Sequence, residues 1–297
     1  MKKAIESHAI AAFMPEDEVE RSLRMVAALP QWSAWVVTRS LKDQSRRRVF
    51  GRGTIGSDRR TYCRNRPALC GARGDMAAKE PFDINEVFRR LRVAVAGVPK
   101  AAMFDLRDQG YSSPFEQLVG SLISARTRDE TTKAICIRLF AVARTPEAMA
   151  ALDETRLVGL LHGASFPEPK ARDLIRLSKQ IVEEHGGVVP NTLEGLTAFR
   201  GVGPKIAALT LAVGYGQPAI AVDVHVHRVV NRWGYVATTT PEQTMAALTE
   251  VLPQRYWIEI NERLVPFGKS ICTGIRPRCS ECLLASMCRQ VGVSAHR

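Results

Sequence analysis

The sequence predicts an all-α protein. Three observations carry this: helix-start signatures recur, apolar residues recur at spacings of three and four, and strand patterns are nearly absent. Regular patterning begins at about Ile84. Ser113-Pro114-Phe115-Glu116 reads as a capping box with proline at the first helical position. It opens a run in which Phe115, Leu118, Val119, Leu122 and Ile123 share one helix face. Thr145-Pro146-Glu147 and Thr240-Pro241-Glu242-Gln243 are similar starts, and Asn191 with Glu194 three residues on is another. Gly186-Gly187 and Gly214-Tyr215-Gly216 are stops. Ile220-Ala221-Val222 is too short to build a sheet. Roughly ten helices joined by short loops are expected.

The chain has 297 residues, room for one large domain or two small ones at ~150 residues each. At 45% hydrophobic it holds enough apolar material for a real core, which excludes wholesale disorder. An unbroken apolar run of about 18 residues is absent, so no membrane span is expected. The start, Met1-Lys2-Lys3-Ala4-Ile5-Glu6, has no apolar run behind its basic end and makes a poor secretory signal.

The net charge is +12, from 42 Lys+Arg and 30 Asp+Glu. Excess of that sign points to a polyanion, nucleic acid first and an acidic membrane second. Residues 1–75 hold 15 Lys+Arg against 8 Asp+Glu. Asp43-Gln44-Ser45-Arg46-Arg47-Arg48 and the stretch from Arg59-Arg60 to Arg73 read as a solvated, disordered basic tail. A DNA-tracking or targeting arm and a misassigned start ahead of Met76 are the alternatives.

The seven cysteines are expected in a reducing compartment, where clustered thiols mean metal more often than disulfide. Cys272, Cys279, Cys282 and Cys288 follow a C-x6-C-x2-C-x5-C pattern. Four thiolates so close together are expected to converge on one centre, zinc or iron–sulfur. Zinc ribbons usually use two short knuckles, and only one tight pair occurs here, so the spacing leans toward iron–sulfur. Cys136 lies in a helical apolar pattern and reads as core, while Cys63 and Cys70 lack partners. The loop between the first two ligands carries Arg276 and Arg278, suited to phosphate contact or simply to solvent.

Arg200-Gly201-Val202-Gly203-Pro204-Lys205 joins two helical patterns. Such a turn leaves backbone N–H groups unpaired at the second helix's start, and glycines permit close approach. The result is an anion site for a DNA phosphate without sequence readout. Lys205 falls in the first turn, where a cation opposes the helix dipole. The same field favours the neutral amine that a nucleophile needs, although the turn alone fits a phosphate-binding lysine better. Asp223, in Val222-Asp223-Val224-His225, reads by itself as an N-cap. His225 and His227 read as structural.

Taken together, these residues resemble the endonuclease III family of DNA glycosylases, within the helix-hairpin-helix superfamily. Three blocks carry the likeness: Ser112 to Ala125, Gly201 to Lys205 with Asp223 eighteen residues later, and the four-cysteine ending. The match runs from about Ile84 to Gln290.

The resemblance implies two helical lobes: a six-helix lobe with the hairpin over 107–217, and an iron–sulfur lobe from 81–106 and 218–297, with 1–80 as the tail. It implies a [4Fe–4S] cluster on Cys272, Cys279, Cys282 and Cys288. Lys205 matches the nucleophile and Asp223 the catalytic carboxylate. Gly201, Val202, Gly203, Arg126, Phe166, His225, Arg276 and Arg278 are then the expected DNA contacts. The implied activity is removal of oxidised pyrimidines from double-stranded DNA, through a flipped base, followed by β-elimination at the abasic site. A monomer in the bacterial cytoplasm, associated with the nucleoid and not with membrane, is expected.

Three departures leave the lesion spectrum open. Arg126 stands where a base-replacing glutamine is usual, Arg200 stands where proline usually precedes the turn, and Ala164 to Lys170 replaces a typical loop with one holding two prolines. The alternatives are a related adenine or mismatch glycosylase and a non-catalytic DNA-binding paralogue. Gln117 to Arg128 holds no acidic residue for the adenine type, and both Lys205 and Asp223 are present, against a purely binding role.

Overall fold

The computed structural model describes residues 79–297, and the expected basic tail, with Cys63 and Cys70, lies outside them apart from its last two residues. Those two are tied down: Lys79 donates to the Cys288 carbonyl, and Glu80 N–H donates to Ser286 O. Among the described residues there is no strand, and twelve α-helices follow one another. They are α1 (Ile84–Ala94), α2 (Ala102–Asp108), α3 (Pro114–Ser124), α4 (Asp129–Phe140), α5 (Pro146–Ala150) and α6 (Glu154–Leu160). Then come α7 (Pro167–His185), α8 (Leu193–Thr197), α9 (Pro204–Leu209), α10 (Val224–Trp233), α11 (Pro241–Val251) and α12 (Trp257–Ser270). No helix among the described residues is long and apolar enough to cross a membrane.

The capping signatures open helices where they stand. Ser113 Oγ accepts from Glu116 N–H at 3.2 Å, and Glu116 accepts from Ser113 N–H at 3.0 Å, starting α3. Thr145 and Thr240 cap α5 and α11 with the hydroxyl alone, accepting from Ala148 and Gln243 N–H. The start expected at Asn191 lies one residue later, because Thr192 is the residue whose hydroxyl accepts from Gly195 N–H, at 3.1 Å. Gly186 closes α7 in the left-handed conformation.

Two hydrophobic clusters organise these helices. One gathers the buried faces of α2 to α9, with Cys136 in its interior. The other gathers α1, α10, α11, α12 and the C-terminal Leu284 and Met287. The boundary expected after residue 106 falls inside α2. That helix sends Met103, Phe104 and Leu106 into the first cluster, and one continuous buried face admits no break. Helix α1 therefore joins the second cluster without α2. Its Phe88 stacks on Tyr256 with ring centroids 3.9 Å apart, and Arg92 pairs with Glu259 at 2.7 Å.

The segment Ile220-Ala221-Val222 joins the clusters. Ile220 and Val222 are buried in the second and Ala221 in the first, the alternation of extended backbone. Helix α9 runs directly into a π turn over Thr210–Gly214. A side chain at Gly214 would lie 2.8 Å from the Pro114 Cα, so only glycine lets this turn rest on the start of α3.

Truncating the fully buried Phe88 removes the stacked pair that ties α1 to the second cluster. Phe88→Ala is expected to lower stability by about 3–5 kcal/mol, read as a drop in the urea midpoint at unchanged slope. A loss below about 1 kcal/mol would mean that α1 is not anchored there.

Candidate active site

The site is built from the turn between α8 and α9 upward. Gly201 has φ +83°, a conformation that suits glycine. Val202 is buried and its N–H donates to Phe199 O at 3.1 Å, which folds the turn back on the first cluster. Gly203 is the N-cap of α9 and offers no side-chain acceptor. Ala207 N–H donates to Gly203 O at 3.0 Å, and proline brings no N–H, so the first turn leaves the Lys205 and Ile206 N–H groups without a partner inside the helix. Pro204 takes the first helical position and Lys205 the second.

Lys205 lies on the wall of a cavity of about 410 Å³. Gly201, Gly203 and Ile206 share its side of that wall, with Val222 and part of α3 and α11 closing the rest. Asp223 follows Val222 directly. Its Oδ1 accepts from His225 and Val226 N–H, both at 2.9 Å, and so caps α10. The structure thereby brings Lys205, the glycine turn and the residue next to Asp223 to one cavity.

Arg126 and Phe166 also come together. Both are exposed, both have left-handed φ (57° and 58°), and the guanidinium lies 6.0 Å from the ring centroid. Phe166 is the N-cap of α7, and Pro167 and Pro169 occupy that helix's first turn, so the two prolines sit in a helix start and not in a loop. Arg200 is exposed and lies 3.6 Å from Asp173. His225 is half-buried against Gly268 and Arg228, and burial pushes its imidazole down from its usual value. Arg276 and Arg278 are exposed on their loop, the first at φ +48°.

Ser121, Ser124, Glu242 and Met245 line the cavity and were not singled out by sequence reasoning. Glu242 was legible only as part of a helix start. Nothing in a linear sequence says that the start of α11 faces α9. Ser121 Oγ is buried and without a hydrogen-bond partner among the described residues.

The four clustered cysteines line a second cavity, walled by Trp233, Phe267 and Pro277. They surround it without closing on a point: among the described residues no three His, Cys, Asp or Glu side chains sit close enough to hold a single ion. Burial pushes the Cys279 and Cys288 thiols up, and takes Cys282 to about 11. Ionising these three thiols is favoured by a bound positive charge. Hydrogen bonds to sulfur are already in place, from Arg232 to Cys272 Sγ at 3.5 Å and from Gln290 N–H to Cys288 Sγ at 3.3 Å. Four half-buried thiols with N–H donors to sulfur are a donor set that an iron–sulfur group would take.

Residues 119–254 match the model of the HhH-GPD superfamily, base excision DNA repair proteins. The endonuclease III of Thermotoga maritima is 42% identical over 182 residues, which span 61% of this chain and 85% of that protein. Endonuclease III homolog 2, chloroplastic, of Arabidopsis thaliana is 39% identical over 183 residues, 59% of this chain and 47% of that protein. A solved structure of a trapped endonuclease III–DNA covalent intermediate aligns with a TM-score of 0.61 at 26% identity, over 70% of this chain and 94% of that one. On this sequence likeness, with a helix–glycine–helix turn and a lysine on one cavity wall, the chain belongs to the endonuclease III family of base-excision-repair proteins, in the helix-hairpin-helix superfamily.

Proposed function

We propose that this chain removes oxidised pyrimidines from double-stranded DNA and then cleaves the abasic site through a Schiff base on Lys205. The observation that carries this reading is the position of Lys205: the first turn of α9, on the wall of the 410 Å³ cavity, beside the glycine turn. The glycine turn holds a backbone phosphate on its N–H groups. Arg276 and Arg278 add phosphate contacts from their loop, and His225 lies at the same end of α10 as Asp223.

The damaged nucleotide leaves the stack, because its sugar carbon is unreachable inside the duplex. Lys205 Nζ bonds to C1′ as the C1′–N bond breaks, and the base departs with that electron pair and takes up a proton. The sugar ring opens to an imine. Loss of a C2′ proton then expels the 3′ phosphate, and the strand is cut 3′ to the lesion. Asp223 faces the positive charge that builds on the sugar. Its Oδ1 is occupied by helix N–H groups, so the second oxygen carries this role. Arg126 and Phe166 enter the vacated step, where an aromatic ring stacks and a guanidinium adds hydrogen bonds. The protein acts as a monomer in the bacterial cytoplasm. The lobe described by the second cluster, residues 218–297 with α1, carries a [4Fe–4S] cluster on Cys272, Cys279, Cys282 and Cys288. Cys272 and Cys279 flank Arg276 and Arg278, so a group held by these thiols would fix the loop that carries the two arginines.

Borohydride trapping on a duplex with one abasic site tests the lyase directly. A covalent adduct is expected with the native chain and none with Lys205→Gln, while DNA binding by the variant stays largely intact. Undiminished nicking by Lys205→Gln would overturn the assignment. Asp223→Asn is expected to slow base release about 100-fold or more with little change in urea midpoint, because Asn caps a helix as well as Asp. An unchanged rate would reduce Asp223 to a cap. Iron and acid-labile sulfide are each expected at about four per chain; an active, colourless, zinc-loaded protein would refute the cluster.

A further inference from the structure

Beneath Arg126 and Phe166 lies a lysine with no part in the chemistry above. Lys170 is half-buried in the first turn of α7, and its Nζ donates to Ile123 O at 2.6 Å, to Ala125 O at 2.8 Å and to Thr127 Oγ1 at 3.0 Å. An ammonium group has three donors, and these contacts use all of them. Ile123 O is one of the last carbonyls of α3, which have no partner within the helix, and a cation there suits the negative end of the helix dipole. Burial pushes the Lys170 amine down to about 8, still mostly charged at neutral pH.

Ser165 closes the arrangement. Its N–H donates to Thr127 Oγ1 at 3.2 Å and its hydroxyl to Arg126 O at 2.7 Å. The loop after α3 is thereby joined to the loop before α7. Each loop carries one non-glycine residue at left-handed φ, Arg126 in the first and Phe166 in the second. Such backbone persists only where its surroundings over-determine it. Phe166 also precedes a proline, which disfavours helical backbone there. The polar contacts of Lys170 and Ser165 are the surroundings that hold these two residues in place.

We infer that Lys170 is a positioning residue for base flipping: it locks the two loops so that Arg126 and Phe166 stand together, preformed, as the group that fills the step a flipped nucleotide leaves. The inference rests on the glycosylase reading above. Its physical basis is preorganisation. An opened step loses stacking, and a loop that must first order itself offsets the gain from filling it.

The test uses the full chain and five variants: Lys170→Gln, Lys170→Arg, Lys205→Gln, the double variant Arg126→Ala/Phe166→Ala, and that double with Lys170→Gln added. Lys170→Gln is expected to slow single-turnover excision from duplex DNA about 100-fold, the usual effect of a small misplacement. Borohydride trapping on a single-stranded abasic oligonucleotide, which has no stacked partner to open, stays near the native level. Lys170→Arg restores part of the duplex rate. Adding Lys170→Gln to the double variant costs nothing further, because the effect runs through the same two side chains. Equal loss on single-stranded and duplex substrates, or a fully additive loss in the triple variant, would overturn the inference. A native chain that traps neither substrate, like Lys205→Gln, would instead refute the Schiff-base reading. The inference is then read from 2-aminopurine placed beside an abasic site: the fluorescence rise on binding is expected to vanish in Lys170→Gln, and its persistence would count against it.

Discussion

The extended segment Ile220-Ala221-Val222 buries alternate side chains in two different hydrophobic clusters, and the candidate site depends on that register. Asn261 Nδ2 donates to Ala221 O at 3.0 Å in the buried seam and so holds the backbone in place. A slip of one residue would send the apolar pair into the wrong cluster. Because the register is held, Val222 reaches the wall of the cavity that Lys205 lines, and Asp223 follows at the start of α10. The carboxylate that caps that helix is thus delivered next to a cavity-lining residue by packing.

Net charge overstates the surface free to meet DNA. Many of the basic groups near the thiol loop are spent inside the protein. Arg228 donates to Gly268 O and Cys272 O, and burial lowers its pKa from the usual value. Arg232 donates to Thr273 O and Gly274 O. Lys269 stays exposed but is paired with Asp129, from α12 to α4. The two arginines satisfy carbonyls at the end of α12 and in the irregular backbone after it, which have few other partners. The exposed Arg126, Arg276 and Arg278 stand apart, and each of them reaches solvent from a loop. Two of the three have left-handed φ, the kind of backbone that functional loops hold at a cost.

Much of the fold was legible because its signals are local. A capping box needs only four consecutive residues, and α3 begins where Ser113 and Glu116 place it. The two errors lie where packing decides. Asn191 and Thr192 are both good caps, and which one serves depends on where α8 packs. The boundary near residue 106, taken from the family resemblance, falls inside α2, whose buried face belongs to the first cluster alone. Around the candidate cavities, the glycine turn and the four-cysteine set stood out by spacing, and Lys205 was singled out through the family resemblance. Glu242, Ser121 and Lys170 were not, since their meaning lies in what faces them from elements far away in sequence.

By itself the sequence determined the helical class, most helix starts, the glycine turn before Lys205 and the set of four thiols. Each of these is written in residues within a few positions of one another, where backbone geometry alone sets who meets whom. The tertiary structure decided which walls enclose the cavity, that Arg126 and Phe166 form one pair, and that Lys170 lies beneath them. Those outcomes depend on how α3, α7, α9 and α11 pack, and packing is settled by the shape of the two clusters as a whole.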